Sequence, residues 1–180
     1  MTTTINASTS SGLVTTPDNS GTIDLQSNGT TKATISSAGF AAPGCIIQVV
    51  NAIQSSSVST TSGTYVDSGL SATITPKFST SKILVYVTQC IYSGGTSGVV
   101  SLTQLVRGST SLLVEGYSFY VGDNFYRSAF NYLDSPATTS ATTYKTQFRK
   151  LTGGGTTIYY AYGDGAGQTN CSITLMEVAQ

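Results

Sequence analysis

Lys82-Ile83-Leu84-Val85-Tyr86-Val87-Thr88-Gln89-Cys90-Ile91-Tyr92 is the stretch that decides the fold. It is rich in β-branched and aromatic residues, is too short and too crowded at Cβ for a useful helix, and stops at Ser93-Gly94-Gly95. It therefore reads as a strand, and the rest of the chain repeats its grammar. Upstream lie Ile46 to Ile53, Tyr65-Val66 and Leu70 to Ile74, the last closed by Pro76. Downstream come Val99 to Arg107, Leu112-Leu113-Val114 leading to Tyr117-Ser118-Phe119-Tyr120, Phe125 to Leu133, Tyr144 to Arg149, Thr157 to Tyr160 and Asn170 to Val178. Eight or nine short strands separated by Gly, Asp and Pro turns predict an antiparallel sandwich or barrel. Pairing the first apolar strand with the last would close a sheet, as a jelly roll does.

The N-terminal part has a different texture. From Met1 to Gly44 the chain is rich in Ser, Thr, Asn and Gly, with apolar residues single or in pairs: Ile5, Leu13-Val14, Ile23, Leu25, Ile35 and Phe40. So little apolar surface does not order an independent domain. Within it, Thr22 to Gln26 and Thr31 to Ile35 flank Ser27-Asn28-Gly29, the strongest local signal for a β-hairpin. A lone hairpin is marginal in water, so the arm is expected to be completed by copies of itself or by a partner, or else to fold back on its own domain. Ala41-Ala42-Pro43-Gly44 breaks regular structure and marks the junction. The expected organisation is an attachment arm or short shaft over 1–44 and a jelly-roll head over 45–180.

Composition narrows the function. The chain has 180 residues, eight basic and eight acidic side chains, and no histidine. Polarity comes instead from 30 threonines and 26 serines, which make little long-range field. Nucleic-acid binding and attraction to an anionic membrane surface are disfavoured. Without histidine, Ser-His-Asp and Cys-His catalysis and histidine metal sites are excluded. The N-terminus lacks the features of a secretory signal, and no apolar run reaches the length of a membrane span, so synthesis in a cytoplasm without membrane insertion is expected. Asn6, Asn28 and Asn170 match the glycosylation pattern and are taken as chance.

The cysteines, Cys45, Cys90 and Cys171, fit no zinc or redox spacing. Cys90 and Cys171 sit in apolar runs and read as buried small hydrophobes. Cys45, beside Pro43-Gly44, is the candidate for an interchain disulfide. Of the carboxylates, Asp123, Asp134 and Asp164 read as turn formers, and no calcium loop or phosphate-cradling motif is present. No cofactor is expected and catalysis is not, although a carboxylate pair assembled by the fold would make a glycosidase. Tyr159, Tyr160 and Tyr162 precede the loop Gly163-Asp164-Gly165-Ala166-Gly167. Uncharged, tyrosine-lined loops at one end of a sandwich suit glycans better than polyanions. Tyr159, Tyr160, Tyr162 and Asp164 are therefore the candidate receptor-facing residues.

Thr3-Thr4-Ile5-Asn6-Ala7-Ser8-Thr9-Ser10-Ser11-Gly12-Leu13-Val14, with Asp18 to Thr30, resembles the N-terminal segments of tail fibres and related virion proteins of bacteriophages, cyanophages especially. Ile74-Thr75-Pro76-Lys77-Phe78-Ser79-Thr80-Ser81-Lys82-Ile83-Leu84-Val85 and Leu133-Asp134-Ser135-Pro136 resemble the jelly-roll heads of such proteins, similar in architecture to trimeric tumour-necrosis-factor and complement-type heads. The resemblance implies a homotrimeric, non-enzymatic virion protein. Ile5, Leu13, Val14, Ile23, Leu25 and Ile35 of the arm would meet a tail or baseplate protein, and the head would contact a host surface glycan. The chain is short for a long fibre, so the rival reading is a capsid decoration or cement trimer whose arm clamps the major capsid protein.

Overall fold

The structure, a computed structural model, describes residues 3–8, 12–16, 20–94, 98–119, 124–152, 156–162 and 170–180. Every regular element among them is a strand. The head contains β6 (Ile46–Gln54), β7 (Val58–Thr60), β8 (Val66–Ile74), β9 (Lys82–Ser93), β10 (Val99–Arg107), β11 (Thr110–Phe119), β12 (Asn124–Asp134), β13 (Thr142–Thr152), β14 (Ile158–Tyr160) and β15 (Cys171–Val178). Its strongest strand runs along the middle of one sheet, as its apolar content requires. β9 pairs with β15 on one side and with β12 on the other, and β15 pairs with β6. Toward the Ser93 end, β14 and then β7 carry on the lanes of β15 and β6. The second sheet has the order β11-β10-β13-β8.

Apart from the β10–β11 hairpin and the short β7 and β14, the chain alternates between these two sheets, and the first head strand lies beside the last. Gln54 is opposite Cys171 and Ile46 opposite Val178. This is the jelly-roll arrangement. Alternation supplies the core: on β8 Leu70, Ala72 and Ile74 point inward, on β15 Cys171, Ile173 and Leu175, and on β9 Ile83, Val85 and Val87. Tyr144, Phe148 and Tyr160 fill the space between the sheets. The predicted fragments 65–66 and 70–74 merge into one strand that begins at Val66. They are joined through Gly69 at φ +86°, where a Cβ would sit 2.7 Å from the Gln54 amide nitrogen. Three hydroxyls between the sheets are paired with one another. Ser68 donates to the Thr146 carbonyl at 2.9 Å and lies 2.6 Å from the Thr146 hydroxyl, which is 3.1 Å from that of Tyr160.

The N-terminal segment folds into more than the predicted hairpin. That hairpin is present: β3 (Ile23–Ser27) and β4 (Thr30–Ser36) meet at Asn28 and Gly29, with φ of 51° and 73°, the left-handed pair that a two-residue turn of this twist needs. On one side β4 pairs with β5 (Gly39–Ala41), and on the other β3 runs parallel to β1 (Thr3–Ser8), which pairs with β2 (Gly12–Thr16). The result is a five-stranded sheet, order β2-β1-β3-β4-β5, formed within a single chain. Its parallel β1–β3 pair joins segments far apart in sequence, which no local pattern announces. The sheet meets the head at Pro43-Gly44: the Gly44 N–H donates to the Ala179 carbonyl and the Ala179 N–H to that of Cys45, both at 2.9 Å.

Candidate functional site

Two outer faces and one seam of the sandwich differ in chemistry. On the sheet β6-β15-β9-β12, register lines the outward positions into rows. Val49, Met176, Leu84 and Leu133 form one, and Asn51, Thr174, Tyr86 and Asn131 the next toward the far end. Ile53 stands in line with Ser172, Thr88 and Ala129, while Ile46 stands beside Val178 at the arm end. Ile46, Val49, Ile53 and Leu133 are 55%, 56%, 62% and 51% exposed, and Tyr86 is exposed as well. The outward positions of β9 and β12 carry two charges, Lys82 and Arg127. Single exposed aliphatics are ordinary, but contiguous rows of them mark an interaction surface.

At the end away from the arm, the same face becomes aromatic. Tyr92 stacks on Tyr162 with ring centroids 4.4 Å apart, and touches Phe125 at 4.8 Å and Tyr159 at 5.7 Å. Tyr159 and Tyr162 were candidates from sequence, and the fold brings them together with Tyr92 and Phe125, which were not. Tyr160 departs from the expectation. Two residues beyond the inward-facing Ile158, it shares its direction and is wholly buried against Phe148, so it serves the core instead of a loop. Burial raises its phenol pKa well above the ordinary value. Asp164 lies outside the described residues.

The seam between β11 and β12 is the second apolar surface. These are the corresponding edge strands of the two sheets, each paired on one side only among the described residues. Phe130, Tyr132, Leu112 and Leu113 reach the core but are only partly covered, and Tyr126 is exposed. The opposite seam, between β6 and β8, is closed. There Gln48 donates to the Thr75 carbonyl at 2.7 Å and to the buried Glu177 carboxylate at 2.6 Å, which also accepts the N–H groups of Lys77 and Phe78. At the arm end of the open seam, Asp134 bridges the sheets. Arg107 on β10 donates to both its oxygens at 2.8 and 2.7 Å, and the Tyr144 hydroxyl on β13 donates at 2.7 Å. Burial and this carboxylate push the Tyr144 phenol far above its ordinary pKa. Asp134 is thus a buried tie, where the sequence suggested a turn former.

The outer face of the second sheet is polar and satisfied within the chain. Asp67 accepts from Gln147 at 2.7 Å and Lys145 at 3.0 Å, Gln147 accepts from Gln104 at 2.6 Å, and Thr73 pairs with Thr143 at 2.8 Å. The Gln147 and Lys145 hydrogen bonds lower the Asp67 pKa.

In the N-terminal sheet, Ile23, Ile35 and Phe40 stand side by side through register, with Ile35 and Phe40 exposed and Ile23 and Leu25 half-buried. Ile5 lies opposite Leu25 and Thr15 on neighbouring strands, while Leu13 and Val14 lie opposite Ala7 and Asn6; the side chains of residues 1–19 are outside the described set. All three cysteines are free thiols, Cys45 half-buried and Cys90 and Cys171 buried. The Cys171 sulfur accepts the Cys90 N–H at 3.1 Å, and burial raises its pKa. Among the described residues no group of three His, Cys, Asp or Glu is placed to hold a metal ion, and no helix is long and apolar enough to cross a membrane.

No protein-family model and no curated protein matches the chain. Among solved structures it is similar to a chain of the infectious bursal disease virus particle, at 14% identity and TM-score 0.43, over 82% of this chain and 45% of that one. It is also similar to a chain of the Gx strain of the same virus, at 11% identity and TM-score 0.42, over 97% of this chain and 45% of that one. The chain thus spans less than half the length of either solved chain.

Proposed function

We propose that the chain is a non-enzymatic virion structural protein that works as a closed ring of three copies. Its N-terminal sheet attaches to another virion protein, and the far end of its head contacts the host. The observation that carries this reading is that the head has two apolar surfaces that are not alike. One is the broad face bearing Val49, Leu84 and Leu133, and the other is the narrow seam bearing Tyr126, Phe130 and Tyr132. Two unlike surfaces that cover each other make a head-to-tail contact, which closes into a ring when the rotation allows. Three is the number that the resemblance to tumour-necrosis-factor-type heads implies. Within the ring, the Tyr92, Phe125, Tyr159 and Tyr162 cluster stands at the end opposite the arm, where an uncharged aromatic surface suits a glycan. Three such sites on one ring multiply weak affinities by effective concentration.

The short tail fibre is the favoured form, and a capsid decoration trimer is the alternative, favoured by the same self-association. Light scattering on the purified chain is expected to give three times the chain mass, and a monomer at micromolar concentration overturns the ring. Gold-antibody labelling of intact particles then separates the forms. Label on the tail or baseplate supports the fibre, label over the capsid supports decoration, and absence of label from intact and opened particles overturns the virion role.

A further inference from the structure

Between its aliphatic rows and its aromatic end, the first sheet of the head presents a cation. Arg127 of β12 stands there, opposite Cys90 and two residues along the strand from Phe125. It is exposed, and it makes no hydrogen bond or ion pair among the described residues. The other two arginines are both engaged. Arg107 holds Asp134, while Arg149 donates to the Gly63 carbonyl at 3.0 Å and lies over the Tyr65 ring, 5.0 Å from its centroid. Arg127 instead lines a cleft of about 360 Å³, together with Thr88, Ala129 and Asn170. That volume falls within the range of ligand sites, which begins at about 300 Å³. The Asn170 side chain is exposed and makes no hydrogen bond among the described residues. The Thr88 hydroxyl lies 2.7 Å from that of Ser172 and keeps acceptor capacity beyond that one bond. The cleft thus offers a guanidinium, an amide and a hydroxyl beside an aromatic surface.

We infer that this cleft takes the carboxylate of an acidic sugar, while the aromatic cluster stacks a sugar ring next to it in the same oligosaccharide. The planar fork of a guanidinium matches the two oxygens of a carboxylate. Tyr92 and Tyr162 are stacked, with 13° between their planes and centroids 4.4 Å apart, so nothing inserts between them. The cluster offers its outer surface instead, and Phe125 is 42% exposed there. Two residues of a strand span about 6.8 Å, which sets Arg127 one step along the face from Phe125, within the reach of joined sugars. The single charge also selects the ligand. Lys82, the other charge on the outward positions of β9 and β12, lies opposite Val178 at the arm end. A phosphate carries nearly two negative charges at neutral pH, whereas a carboxylate carries the one that Arg127 balances. The inference rests on the glycan contact proposed above and names its class, a glycan that contains hexuronic acid.

The full chain is tested by biolayer interferometry against immobilised oligomers of glucuronate, galacturonate and mannuronate. The carboxyl-reduced form of each is run beside it, since reduction keeps the sugar ring and removes the charge; phosphorylated neutral oligomers complete the set. At least one uronate oligomer is expected to bind at least tenfold more tightly than its reduced form. Arg127→Gln, with a circular dichroism spectrum like the parent's, should erase that preference. Arg127→Lys should restore only part of it, because lysine keeps the charge and lacks the fork. Phe125→Ala should weaken the acidic and reduced forms alike. Equal binding of the two forms by the parent, or a preference that survives Arg127→Gln, overturns the carboxylate site and leaves the glycan contact standing. Tighter binding of the phosphorylated oligomers than of any uronate overturns the ligand class. No binding of any oligomer, acidic, reduced or phosphorylated, overturns both the cleft and the glycan contact.

Discussion

The two outer faces of the head are built from strands of similar length and turn chemistry, and they end in opposite states. On the second sheet the outward side chains satisfy each other: Gln104 donates to Gln147, Gln147 and Lys145 donate to Asp67, and Thr73 pairs with Thr143. On the first sheet Val49, Leu84, Tyr86 and Leu133 have nothing comparable to do within the chain. A polar face closed on itself faces solvent, whereas an apolar face left open is completed by another surface. The difference shows how a chain with few charges can keep one face polar through hydroxyls and amides alone, while the other carries the apolar surface on which the proposed ring depends.

The most forceful way to break the comparison is to make the apolar face resemble the polar one. Leu133→Lys is expected to weaken association by about 2 kcal/mol or more, roughly 30-fold in the dissociation constant. Sedimentation should show lighter species while circular dichroism still reports a folded head; an unchanged mass would remove this face from the interface. Asp134→Asn acts on the tie between the two sheets and should lower head stability by about 2 kcal/mol. That is less than a fully buried pair would lose, because the Arg107 side chain is 29% exposed. Denaturant unfolding within 0.5 kcal/mol of the parent would show that the tie carries nothing. Asp67→Asn on the polar face is expected to be the mildest, within about 0.5 kcal/mol at pH 7, and to leave the oligomer intact. The Asp67 pKa is lowered in the fold from 3.8. Its small contribution is therefore present above pH 4 and lost as pH falls through the folded value. The parent and the variant should converge in stability toward pH 2, and a gap that widened there would refute the assignment.

The strands and their closure were legible because alternation is local and because the first and last head strands both announce themselves. Asn28-Gly29 was legible for the same reason, since its turn needs two left-handed residues in succession. The exposed face had a signal as well. Ile83-Leu84-Val85-Tyr86-Val87 is apolar on both faces of the strand, the pattern of a strand covered on both sides. Tyr160 was misplaced because a run of adjacent tyrosines does not disclose its register, although the parity of Ile158 fixes it. The sheet around β1 and β3 and the role of Asp134 were hidden for a different reason. Each depends on partners distant in sequence, Ile23 beside Thr3 and Arg107 beside Asp134, and no window of neighbouring residues contains them.

The junction at Ile46 also sets how the protein bears tension. β6 enters the head at its arm end and lies along β15 for its whole length, from Ile46 opposite Val178 to Gln54 opposite Cys171. A pull on the arm, with the head held at its far end, runs parallel to that ladder. The hydrogen bonds between the two strands are then strained together in shear and not peeled one after another. A tether loaded this way gives abruptly and at high force, so an attachment made through the far end of the head would outlast a tug that unzips a strand from its end.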